Sequence, residues 1–159
     1  DNEGSSTPEG RKLLAAFREG LSSMEPLYQA LCMFRVIEGC YVLRNRRRAQ
    51  AKTGRAFKDP GERLELSQIT AQGARARLQV EAAFKPYVGK KFTNLRDIFR
   101  EDIRHAVAHL DLDGDPLAAD NYEDVQKVKR ALPVMHHMAR MLLSSELNHE
   151  SAVVDSSSE

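Results

Sequence analysis

The groups in this 159-residue chain best suited to chemistry are gathered in one hexapeptide, Arg104-His105-Ala106-Val107-Ala108-His109, with Asp102 just before it and Leu110-Asp111 just after. Arginine offers a planar fork of donors matched to phosphate oxygens. Histidine takes up or releases a proton near neutral pH. Phosphodiester cleavage without a metal needs those two things, a fixed charge on the phosphate and a group that moves protons.

The spacing predicts a helix from Leu95 to Leu110, capped by Thr93 or Asn94. At about 100° per residue, Phe99, Ile103, Ala106, Val107 and Leu110 form its apolar face. His109 and Asp102 lie at one edge of that face and His105 just further round. Arg104 sits roughly 140° from His109. Either the long arginine bends across part of the gap, or a second copy of the helix, related by a two-fold axis, brings Arg104 of one chain to His109 of the other. The second arrangement makes a homodimer the expected assembly.

The remaining text also reads as helices. Leu13, Leu14, Phe17 and Leu21 follow Pro8 at helical spacing, with Gly20 and Ser22-Ser23 as the end of that shorter leading helix. Leu27, Leu31, Phe34, Val36, Ile37, Tyr41 and Val42 form the stripe of a longer one that begins at Glu25-Pro26. Residues 49–61 read as a loop, Glu62 to Phe84 as a third helix weakened by Gly73, and Asp111 to Pro116 as a turn. A last helix runs from Asp120 or Asn121 to about Leu147, kinked at Pro133. No period-2 stretch appears. The expected fold is therefore all-α, an up-and-down bundle of four main helices plus the shorter leading one, over residues 9–149, with tails at 1–8 and 150–159.

An all-helical bundle with arginine, a polar residue, three residues and histidine on its penultimate helix resembles the HEPN superfamily. The resemblance implies a metal-independent ribonuclease acting as a dimer. Arg104 would hold the scissile phosphate, His109 would be the acid/base, and His105 would orient the substrate or assist proton movement, with no cofactor. It also leaves open an inactive RNA- or nucleotide-binding or protein-interaction module. The segments FREGLSS (17–23) and RVIEG (35–39) resemble MauJ-type proteins of methylamine-utilisation clusters.

A second feature is basic. Arg44, Arg46, Arg47, Arg48, Lys52, Arg55 and Lys58 precede Asp59, a footprint that can track an RNA backbone. The plainer alternative is cations favoured at a helix C-terminus. Glu38 lies one turn after Arg35, as a structural ion pair or, if it faces the cleft, as an orienting group for Arg104. His105 and His109 have zinc-like i, i+4 spacing but no completing glutamate or cysteine. DLDGDP echoes a calcium loop and fails at Pro116 and Tyr122. Met135, His136, His137, Met138 and Met141 read as packing. No metal site is expected.

The net charge of +1 names no partner. Cys32 and Cys40 lie about 12 Å apart along a helix, too far to bridge, and read as buried thiols of a reducing compartment. No stretch is long and apolar enough to span a membrane. The expected location is cytoplasmic.

Overall fold

The computed structural model describes residues 7–50, 61–68, 73–111 and 119–156, with side chains 109–111, 119–121 and 150–156 excepted. Five helices carry it: α1 (Pro8–Ser22), α2 (Pro26–Gln50), α3 (Ala74–Phe84), α4 (Phe92–Asp111) and α5 (Ala119–Ser156). The fold is an all-α bundle, with no strand among the described residues.

Helices α2 and α5 are the central pair. Each also packs on α1 and α4, and α5 covers α3. Their buried positions repeat at helical spacing: Met33, Val36, Ile37 and Cys40 on α2, and Val128, Met135, Met138 and Leu142 on α5. Leu95, Phe99 and Ile103 complete the core from α4. Truncating Phe99 to alanine would cost about 3–5 kcal/mol through lost transfer energy and the cavity left behind.

Local chemistry explains the helix starts. Thr7 caps α1 by accepting from the Gly10 amide at 3.1 Å, and Pro8 takes the first helical position, where its missing N–H costs nothing. The Glu25 carboxylate accepts from the Leu27 amide at 3.0 Å and caps α2. Gly20, expected at the end of α1, lies inside it. A β-carbon there would stand 2.8 Å from Cys32 Cβ, so the glycine is what lets α1 close on α2.

Three boundaries differ from the sequence expectation. The predicted helix from Glu62 begins only at Ala74. Gly73, at φ +88°, breaks it, and the backbone of Glu62 and Leu64 instead bonds to 89–92: Phe92 N to Glu62 O at 2.8 Å, Leu64 N to Lys90 O at 3.0 Å. Helix α4 starts at Phe92 rather than Leu95, so Thr93 and Asn94 lie within its first turn and do not precede it. Helix α5 runs through Pro133 and on to Ser156, so most of the expected tail at 150–159 is helical backbone.

Candidate functional site

Arg96, Arg100 and Arg104 recur every fourth residue of α4 and so rise along one side of it. Their side chains become freer turn by turn, 23%, 45% and 75% exposed. Arg96 lies over the Tyr41 ring at 4.5 Å and beside Glu38 at 3.8 Å. Arg100 donates from Nη2 to Glu38 Oε1 at 2.6 Å. Asp97 stands within 3.6 Å of both. Arg104 has only Glu101, at 3.7 Å, among the described residues. His105 lies 3.9 Å from the same carboxylate and is also exposed. Exposed pairs of this kind contribute little, so Arg104 is held in place by almost nothing.

This arrangement corrects the expectation for Glu38. It pairs with Arg100 and Arg96 on α4, while Arg35 points outward from α2. Nor does Glu38 orient Arg104; it holds the arginine one turn earlier. The backbone of His109 lies on α4, and its side chain falls outside the described residues.

On its other flank α4 offers Asp102, half-buried against α5. Burial pushes its carboxyl above the ordinary range, against the pull of Lys127 and His105. Burial raises the Tyr87 hydroxyl too, and Asp102 adds to the effect. Tyr87 lines a groove of about 560 Å³ between α3 and α5, together with Lys127, Lys129 and Arg130. These three cations were not singled out in the sequence, although their density over 127–130 was the available signal.

The basic end of α2 divides. Arg44, expected to contact RNA, is buried. Its guanidinium donates to Glu62 at 2.6 Å and Glu146 at 3.2 Å. Arg47 donates to both oxygens of Glu146. Burial alone would push the Glu146 carboxyl up, but Arg47 and Arg44 outweigh it and hold it below the usual range. The same two carboxylates raise Arg44 against its own desolvation. Arg46 and Arg48 are exposed. Lys52, Arg55 and Lys58 lie outside the described residues, as does most of the DLDGDP turn.

Cys32 and Cys40 are free and buried, and burial pushes the Cys40 thiol up to about 12. Among the described residues no group of His, Cys, Asp or Glu is placed to hold a metal ion, and no helix is long and apolar enough to cross a membrane.

A family model described as Methylamine utilization protein MauJ matches residues 13–144, a span that touches all five helices and includes Arg104 and His109. No curated protein and no solved structure matches the chain.

Proposed function

This chain belongs to the MauJ family, and we propose, from the residues of α4, that it is a metal-independent endoribonuclease of HEPN type that acts as a dimer. The family description names a process, methylamine utilisation, and no reaction. The reaction rests on α4.

The observation that carries the reading is the graded release of the α4 arginines, which ends on an Arg104 whose fork is open to an external phosphate. A guanidinium so placed takes a phosphate bidentately. His109 follows five residues later on the same helix, about 7.5 Å along the axis and about 140° round it. A two-fold mate closes that angle. His109 then moves the proton of the ribose 2′-hydroxyl or of the leaving oxygen. The 2′-oxygen bonds to phosphorus and the bond to the 5′-oxygen breaks, leaving a cyclic phosphate and a 5′-hydroxyl. Arg104 carries the developing charge and His105, beside it, orients the strand.

A second reading is a non-catalytic RNA-binding module. It is favoured by the open setting of Arg104 and His105, which a single subunit does not enclose.

One experiment separates the two. The purified protein, Arg104→Ala and His109→Ala are incubated with a mixed-sequence RNA in EDTA, and both binding and product ends are read. The endoribonuclease gives cyclic-phosphate ends and loses about 100-fold in rate in either variant. RNA bound but uncut by the wild type leaves the binding module. RNA neither bound nor cut removes both.

A further inference from the structure

We propose that the open cavity between α1, α3 and α5 binds a small organic carboxylate with an apolar body, its charged end held by Arg140 and His136. The site lies away from α4 and does not depend on the ribonuclease reading.

The cavity holds about 400 Å³, within the range of small-ligand sites. Phe17 and Leu21 of α1, Val80 and Phe84 of α3, and Pro133 of α5 make an apolar wall. The polar groups all come from one turn of α5: His136, His137 and Arg140. Among the described residues no acidic side chain lines the space.

Charge selects the ligand. Arg140 is exposed and has no ion-pair partner among the described residues. Burial disfavours the charged form of both histidines, and the nearby Arg140 disfavours it further at His137. Arg140 therefore supplies the cavity's fixed charge. An ammonium ligand would meet that cation with no counter-charge; an anion would neutralise it.

The two rings differ in their freedom. His137 is buried, its Nε2 3.3 Å from Gln68 Oε1 and its ring edge-on to Phe84 at 5.6 Å. It is a fixed part of the wall. His136 Nε2 is shut from solvent and has no hydrogen-bond partner among the described residues. A buried polar atom left unpaired calls for an explanation. A modest rotation about its soft terminal torsion turns that nitrogen to a carboxylate entering past Arg140. The apolar body then lies against Phe17, Val80 and Phe84. Packing alone, the reading the sequence supports for this segment, accounts for His137 and leaves the orphaned nitrogen of His136 unexplained.

The test uses the full chain with hexanoate and benzoate as probes, and 1-hexanol and hexylammonium as controls, followed by calorimetry and by the ring-nitrogen resonances of the histidines. Hexanoate and benzoate should saturate, with His136 shifting most, and Arg140→Gln should weaken them by about tenfold or more. Arg140 is exposed, so that variant keeps the fold. Val80→Phe narrows the cavity and should abolish binding while leaving the helical circular dichroism unchanged. Equal affinity for 1-hexanol, tighter binding of hexylammonium, or no saturation by about 10 mM of either carboxylate would overturn the assignment.

Discussion

Arg44 and Arg104 each stand about two turns before the end of a long helix, yet one is an internal strut and the other is presented to solvent. The difference is register. On α2 the buried positions run Met33, Val36, Ile37, Cys40, Tyr41, and the next in step is Arg44 itself. On α5 the stripe runs through Met138 and Leu142 and arrives at Glu146. The two central helices thus bring these inward positions to the same place, and the charges meet there with Glu62 and Arg47. Arg104 follows Ile103, an inward residue, and falls off the stripe. A cation in step with the core must bring its carboxylates with it. A cation out of step is free to meet something else.

The largest effect expected from this contrast is on stability. Glu146→Gln leaves Arg44 buried with half its compensation, and breaking a buried pair costs about 3–5 kcal/mol. The matching change on the exposed side, Glu101→Gln, should stay within about 0.5 kcal/mol. Urea unfolding of both variants measures the difference. Equal small losses would mean that the α2–α5 cluster is no strut.

The same cluster sets a pH dependence. Glu146 titrates below the ordinary 4.5 in the folded chain. The stability it contributes is therefore fully present above about pH 4.5 and disappears as the pH falls through the folded value. The wild-type urea midpoint should drop steeply below that point, and in Glu146→Gln the drop should be shallower. Parallel curves would place the acid sensitivity elsewhere.

On the presented side the expected effects are on rate. Arg104→Ala should lose about 100-fold in RNA cleavage with its urea midpoint unchanged. Arg100→Ala leaves Glu38 with Arg96 alone and should lose less than about tenfold. If Arg100→Ala were the worse of the two, the phosphate would sit a turn earlier on α4, and the gradient in exposure would not be what selects the site.

Much of this contrast was legible in the residues and part of it was not. The periodicity of α2, α4 and α5 was plain because each buries one broad stripe, and the helical bundle followed from it. The segments FREGLSS and RVIEG each contain a glycine of the α1–α2 contact, Gly20 and Gly39. A spacing pattern does not show what a glycine faces, and Gly20 read as a helix end. The stripe that ends on Arg44 could have been extended by one step, but the seven cations spread over 44–58 drew it into a solvent-facing group. The partners Glu62 and Glu146 are 18 and 102 residues away, and no local pattern announces a pairing at that distance. Glu38 failed for the same reason. Arg35, one turn before it, was the nearest candidate in sequence, whereas Arg100 was the partner in space.

The smallest expected effect tests whether the remaining cations of α2 touch RNA at all. Arg46 and Arg48 are exposed, while Arg47 is bound to Glu146. Neutralising one cation that touches a phosphate lowers the slope of log affinity against log salt by about 1. Arg46→Gln and Arg48→Gln should each do so, with no change in stability. Arg47→Gln should leave the slope alone and lower the urea midpoint, because its guanidinium already serves the buried carboxylate. A uniform response across 46–48 would show that the helix end acts as one diffuse positive patch. The two outcomes expected across these three variants require that burial of a single carboxylate removes the middle cation from a basic run of three.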